Sequence, residues 1–125
     1  MKIVSVCLLL VGLIHLLPLQ GLFGVERIAG LYGVAVNDNN MAILLLHRAV
    51  LFGILGGFFI FSAFKPGLQL LAIVVGLIST LSFILIAQLF APVNSAINKV
   101  VIADWIAVVL LLIATTLVLK QRLIK

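Results

Sequence analysis

The chain alternates long apolar stretches with short polar segments, and four apolar stretches can be distinguished. They cover about residues 3–23, 41–64, 67–90 and 101–119. A membrane hydrocarbon core of ~30 Å requires about 17 to 25 apolar residues in a helix that rises 1.5 Å per residue. The pattern therefore predicts an all-α integral membrane four-helix bundle, with residues 1–125 forming a single transmembrane domain.

The polar segments predict how these helices are connected. "FKPG" at 64–67 is so short that helices two and three are expected to be antiparallel neighbours. Pro18 lacks a backbone donor and is expected to kink the first helix or end it early. "GVERIAGLYGVAVNDNN" at 24–40 is predicted to be a loop whose last residues cap helix two, and Asn98 is a candidate cap for helix four.

Composition supports a membrane protein and excludes some function classes. Hydrophobic residues make up 66% of the chain and charged residues 9%, whereas soluble domains are near half apolar and a quarter charged. Cys7 is the single cysteine, so no intrachain disulfide can form and a disulfide-relay enzyme is excluded. Lys2 before an apolar run also resembles a signal peptide, but no A-x-A-like site follows and the run is long enough to span.

The charges predict the orientation of the chain in the membrane. With the amino terminus in the cytoplasm, five basic residues lie inside: Lys2, Lys65, Lys120, Arg122 and Lys125. The outer side then holds Arg27, Arg48, Lys99 and all three acids, Glu26, Asp38 and Asp104. Because basic residues are enriched in cytoplasmic segments, both termini are expected to be cytoplasmic in a multi-pass protein of the bacterial inner (cytoplasmic) membrane.

The same charge balance bears on partners. The net charge of +5 is attributed to the orientation of the chain in the membrane and to contact with anionic lipid headgroups. Nothing in the sequence supports nucleic-acid binding. Membrane lipids are the expected partners. Further candidates are a small apolar ligand, a membrane-protein partner and a second copy of the chain in a homo-oligomer.

Small residues spaced four apart indicate which helix faces pack together. These are Ala49, Gly53 and Gly57 in helix two, and Ala72, Gly76 and Thr80 in helix three. The alternative is that Gly and Ala are simply common in membrane helices. Residues expected at the membrane interface are Glu26, Arg27, Tyr32 and Trp105.

Five polar side chains within the apolar stretches fall in one layer near their outer ends. This polar layer comprises His15, His47, Arg48, Gln88 and Asp104. Exposing an ionisable group to lipid near the bilayer centre costs at least ~2.5–3.5 kcal/mol, so such groups are expected to face the bundle or water. The layer is the candidate ligand-binding site, and the sequence identifies no catalytic residue.

Each member of the polar layer has a structural and a functional interpretation. Arg48 and Asp104 are expected to form a buried ion pair, because Asp104 is the only acid inside any apolar stretch; alternatively Arg48 snorkels alone. His15 is either a hydrogen-bonded core histidine or part of a binding site. His47 faces another helix or the headgroups.

The predicted role is a small membrane protein whose polar layer stabilises the fold or binds a small molecule or protein partner. The alternative is an enzyme subunit or redox accessory protein that uses the layer for a quinone, a haem or a lipid; a small transporter is less favoured. Two histidines could ligate a haem, or with Asp104 a metal, but the sequence requires no cofactor. Enzymatic activity is left open.

Three stretches carry a family resemblance: "ERIAGLYGV" at 26–34, "HRAVLFGILG" at 47–56 and "AD" at 103–104. The chain resembles uncharacterised small bacterial four-helix membrane proteins and, more distantly, DoxX-type proteins, which implies the same fold. Some members bear the name phosphopantetheine adenylyltransferase, a soluble enzyme with an H-x-G-H motif. The nearest string here, "HLLP" at 15–18, lacks the glycine and second histidine, so nucleotidyl transfer is not expected.

Overall fold

The computed structural model describes residues 2–125, which form helices throughout most of their length. The elements are α1 (Lys2–Leu16), a 3-10 segment (Leu17–Phe23), α2 (Val25–Tyr32), α3 (Asn39–Ala63), α4 (Pro66–Leu89) and α5 (Ser95–Ile124). Four segments are long and apolar enough to cross a membrane: α1 together with the 3-10 segment, α3, α4 and α5. The predicted all-α four-helix bundle is confirmed.

Prolines and a capping side chain determine where several of the helices begin and end. The α-helical geometry of α1 ends at Leu16, two residues before Pro18, and continues as the 3-10 segment. Asp38 caps α3, its Oδ1 accepting a hydrogen bond of 2.8 Å from the backbone N–H of Met41. Pro66 opens α4 directly after a two-residue turn, so α3 and α4 are in contact, as predicted.

Two predictions about boundaries were wrong. The segment 24–40, expected to be a loop, contains the eight-residue helix α2. Helix α5 begins at Ser95, ahead of the expected cap Asn98, because Asn94 caps it: its Oδ1 accepts a 2.7 Å hydrogen bond from the N–H of Ile97. Asn98, the predicted cap, is an exposed residue in the first turn of that helix.

The core is built mainly between α1, α3 and α5, with α4 packed on α5. Small and branched side chains fill it. Its buried members are Val4, Cys7, Leu8, Val11, Phe59, Ala63, Ala72, Ile73, Ala107, Leu111, Ala114 and Val118. Ser5 ties α1 to the end of α3, since its hydroxyl donates to the carbonyl of Ala63 at 2.6 Å.

Five of the six small residues predicted to pack are buried or have close neighbours, and the prediction is wrong for Gly57. Ala49, Ala72 and Thr80 are fully buried, and Gly76 lies against Leu111 and Phe59. Gly57, in contrast, is exposed, and a Cβ placed on it would meet nothing within 4 Å. Its neighbour Gly56 is the buried glycine at the α1–α3 contact.

The outer surface of the bundle carries many exposed apolar side chains. Ile54, Ile78 and Val109 are each more than half exposed, although they lie in the middle of long helices. A helix that is hydrophobic on all sides is typical of a membrane span or of the core of a large protein. Below, "basic end" denotes the end of the bundle with Lys2, Lys65 and Lys120–Lys125, and "cavity end" the opposite one.

Candidate functional site

Helix α2 lies across the cavity end of the bundle and is held there by apolar contacts and by one asparagine. Ile28 and Tyr32, one turn apart, are buried against Ala49 of α3. Asn94 donates its Nδ2–H groups to the carbonyls of Tyr32 and Gly33, both at 3.0 Å. Gly33 ends α2 with φ of 63°, the left-handed conformation that glycine adopts at helix C-termini. The cap of α5 thereby also fixes α2.

A cavity of about 360 Å³ lies between α2 and the bundle. Its walls come from α1, the 3-10 segment, α2, α3 and α5. The lining residues are Ile14, His15, Leu17, Pro18, Gly30, Leu31, Tyr32, Arg48, Phe52, Ser95, Ala96, Lys99, Val100, Ala103 and Asp104. Largely apolar walls with a few convergent polar groups are typical of small-molecule sites.

Arg48 is held in this cavity by aromatic side chains. Its guanidinium carbon lies 4.7 Å from the ring centroid of Phe52, 5.3 Å from that of Phe83 and 5.6 Å from that of Tyr32. The Nε–H donates to the Tyr32 hydroxyl at 3.2 Å. Ring faces attract a cation without consuming its donors. Within residues 2–125 the terminal nitrogens of Arg48 consequently keep their hydrogen-bonding capacity.

Asp104 lines the same cavity from α5 and is 8% exposed. No nitrogen–oxygen contact of 4.0 Å or less joins it to Arg48 among the described residues. The structure thus brings the two residues of the predicted ion pair to one cavity without direct contact. That Asp104 neutralises Arg48 stays a prediction. A cavity bounded by both residues offers a ligand hydrogen-bond donors on Arg48 and, separately, an acceptor on Asp104.

His15 is buried and forms hydrogen bonds through both ring nitrogens. Its Nδ1 lies 2.9 Å from the carbonyl oxygen of Val11, which only accepts, so Nδ1 carries a proton. Its Nε2 lies 3.2 Å from the hydroxyl of Ser79 on α4. The ring packs edge-on against Phe59, with centroids 4.8 Å apart. His15 therefore contributes a ring wall to the cavity, while its Nε2 connects α1 to Ser79 of α4.

Two members of the predicted polar layer lie outside the cavity. His47 and Gln88 are exposed and are absent from its lining. The two histidines thus do not face a common site, and the sequence-based hypothesis of haem ligation between them has no geometric support. Among residues 2–125 no group of three His, Cys, Asp or Glu side chains comes together at metal-binding distances.

The residues predicted at the membrane interface divide into two groups. Glu26, Arg27 and Trp105 are exposed, and Arg27 lies 5.9 Å from the ring centroid of Phe23. Tyr32 is only 4% exposed and belongs to the cavity, which the interface prediction did not anticipate. It is buried because α2 is a helix, which turns Tyr32 to the same face as Ile28.

Several residues of the site were missed from the sequence. Lys99 and Ser95 are exposed at the rim of the cavity, and Phe52 and Phe83 flank the guanidinium of Arg48. A signal for Phe52 existed, since it lies four residues after Arg48 on the same helix face. Phe83 comes from another helix, and no sequence spacing connects it to Arg48.

Comparison with known proteins assigns no relative to this fold or site. No protein-family model, curated protein sequence or solved structure matches the chain. The chemistry of the cavity therefore follows from its own side chains. Arg48 and Lys99 provide cationic donors, Asp104 provides an acceptor, and the Tyr32 hydroxyl can still donate its own hydrogen.

Proposed function

We propose that the chain is a multi-pass protein of the bacterial inner membrane, with both termini in the cytoplasm and the cavity end facing outward. Four long apolar helices with exposed apolar side chains support the membrane assignment. The five basic residues of the basic end support the orientation. Residues 26–34 and 47–56, on which the expected kinship with small bacterial four-helix proteins rests, both contribute to the cavity.

In this membrane the proposed role is to bind a small ligand that carries an anionic or hydrogen-bond-accepting group. One observation carries the proposal: Arg48 and Asp104 line one cavity, and neither has an ion-pair partner within 4.0 Å among the described residues. Burying charges away from water is costly unless other groups compensate them. A ligand that accepts a hydrogen bond from Arg48 and donates one to Asp104 would compensate both charged side chains.

The cavity favours a negatively charged ligand over a neutral or positive one. Arg48 and Lys99 contribute two positive charges to its lining and Asp104 one negative charge. Arginine binds carboxylate and phosphate groups through two parallel N–H donors, and such charge-assisted bonds are roughly twice as strong as neutral ones. Lys99 at the exposed rim lies where an arriving anion would first be attracted.

Native mass spectrometry of the purified protein tests this role. The probes are phosphatidylglycerol, which is anionic and bears free hydroxyls, and phosphatidylcholine, which is zwitterionic. We expect phosphatidylglycerol to be retained preferentially, and Arg48→Gln to remove the preference. Arg27→Gln is the matched control, because Arg27 is an exposed arginine of α2 that does not line the cavity. Equal retention of phosphatidylglycerol by the wild type and Arg48→Gln would contradict the proposal.

A quinone is the second candidate ligand, favoured by the aromatic lining. Phe52, Tyr32 and the ring of His15 form part of the cavity wall, and the His15 and Phe52 ring centroids are 5.6 Å apart. A flat ring can stack on such surfaces while its carbonyl oxygens accept from Arg48. Tight binding of a benzoquinone by the wild type, weakened equally by Phe52→Leu and Arg48→Gln, would favour this candidate and a redox accessory role.

A further inference from the structure

A second, wholly apolar recess lies on the outer surface of the bundle beside the cavity. It is a groove of about 260 Å³ between α1 and α5. Its walls are Leu10, Leu13, Ile14, Leu17, Ile106 and Leu110. Leu13, Leu17 and Ile106 are each more than half exposed, so the groove is open along the side of the bundle.

The groove and the cavity adjoin each other. Ile14 and Leu17 line both, and they lie where α1 passes into the 3-10 segment. From Leu17 to Leu10 the groove follows α1 for about 10 Å away from the cavity end, at 1.5 Å per helical residue. The polar cavity thus has an exposed polar rim at Lys99 and Ser95, and the apolar groove between α1 and α5 lies directly beside it.

We infer that the ligand is an anionic membrane lipid whose headgroup occupies the cavity while one acyl chain lies in the α1–α5 groove. The inference rests on the proposed binding of an anion by Arg48 and names the class of ligand. The cavity lining carries a net positive charge, which favours an anionic headgroup. The wall shared at Ile14 and Leu17 places a recess with no polar lining next to that head.

The proposed role of the groove is to give the lipid access to the cavity, and the groove adds little to the affinity for the lipid. A lipid tail gains little by moving from bilayer to a leucine surface, because both are equally apolar. With its tail in the groove, however, a lipid can deliver its head to Arg48 without taking hydrocarbon into water. A soluble anion with the same chemical group as the lipid headgroup would enter at the polar rim and would not need the groove. The two sources of one headgroup therefore use different approaches to the cavity.

A phosphatidylglycerol with a photoactivatable diazirine in one acyl chain distinguishes these sources. In vesicles that contain the wild-type protein, we expect crosslinks concentrated at residues 10–17 and 106–110. Arg48→Gln should reduce those crosslinks about tenfold while leaving background crosslinks on the other helices unchanged. Ile106→Trp, which fills the groove, should reduce them similarly. Leu112→Trp is the control, since Leu112 is 52% exposed against 53% for Ile106 but lies outside the groove.

Each other outcome decides a separate point. Crosslinks spread evenly over all four long helices, with Arg48-dependent retention of the lipid intact, would overturn the groove and leave the proposed function standing. Groove crosslinks that persist in Arg48→Gln would show a lipid of the bilayer annulus, unconnected to the cavity, and would also overturn the inference. Retention that does not depend on Arg48 would overturn the proposed function and the inference together.

Discussion

Gly12 of α1 and Gly56 of α3 bring two helix backbones into direct contact. A Cβ added to Gly56 would lie 2.9 Å from the carbonyl oxygen of Gly12, and one added to Gly12 would lie 3.0 Å from that of Gly56. Gly56→Ala is therefore expected to lower the unfolding free energy by about 1–3 kcal/mol, the usual cost of overpacking. The measurement is thermal unfolding in detergent.

The adjacent glycine is the matched control for that substitution. Gly57→Ala places the same methyl group one residue along the same helix, where nothing lies within 4 Å. Since alanine is a better helix former than glycine, stability should be unchanged or rise by up to about 1 kcal/mol. Equal losses in both variants would mean that α1 and α3 do not meet at Gly56.

Asn94→Ala tests how α2 is held over the cavity. The substitution removes the cap of α5 and both hydrogen bonds to the carbonyls of Tyr32 and Gly33. Loss of such a cap typically costs about 0.5–2 kcal/mol. We expect lower thermal stability and faster amide exchange in α2. Asn98→Ala, on the exposed side of the same first turn, should change stability by less than about 0.5 kcal/mol.

A double-mutant cycle tests whether Asp104 neutralises Arg48 across the cavity. Arg48→Gln and Asp104→Asn should each lower the unfolding free energy, and the double variant should lose less than the sum. A coupling of about 0.5–3 kcal/mol is expected for charges that share one site. The cycle of Asp104→Asn with Lys120→Gln at the basic end is the control and should be additive. Additivity in both cycles would mean that Asp104 does not neutralise Arg48, and that only the aromatic neighbours of Arg48 stabilise its charge.

Reporter fusions test the proposed orientation. Fusions after Lys125 and within residues 65–67 should report the cytoplasm, and an insertion near Asn39 should report the outside. The reason is that the basic residues concentrate at the ends of α1, α3, α4 and α5 that meet at the basic end. An external carboxy terminus would reverse the orientation, and the cavity would then open toward the cytoplasm.

The sequence predicts the scaffold because each long helix is specified by local features. Apolar length defines the four long segments, Pro18 and Pro66 set two boundaries, and Asp38 caps α3 through its own side chain. Helix α2 also left signals that were not used. Glu26 lies in its first turn, Ile28 and Tyr32 are four residues apart, and Gly33 follows its end.

The site was only partly predictable because its geometry depends on how helices rotate against one another. Arg48, Asp104 and His15 were found, since an ionisable residue in an apolar stretch is conspicuous whatever its neighbours. That His47, adjacent to Arg48, points away from the cavity depends on the rotation of α3. The choice between Gly56 and Gly57 has the same origin: Gly57 satisfies the four-residue spacing, but the rotation of α3 places Gly56 at the α1 contact.

The 3-10 segment at Leu17–Phe23 also adjusts the hydrophobic thickness that the bundle can match. Fifteen α-helical residues at 1.5 Å and seven 3-10 residues at about 2.0 Å span about 36 Å. The 25 residues of α3 and 24 of α4 span nearly the same distance, about 36–38 Å. Tighter winding thus lets a 22-residue first segment equal its longer neighbours, so that three of the four segments match one hydrophobic thickness without differential tilt. Helix α5, at about 45 Å, is the longest of the four and carries the basic residues Lys120 and Arg122 in its last two turns.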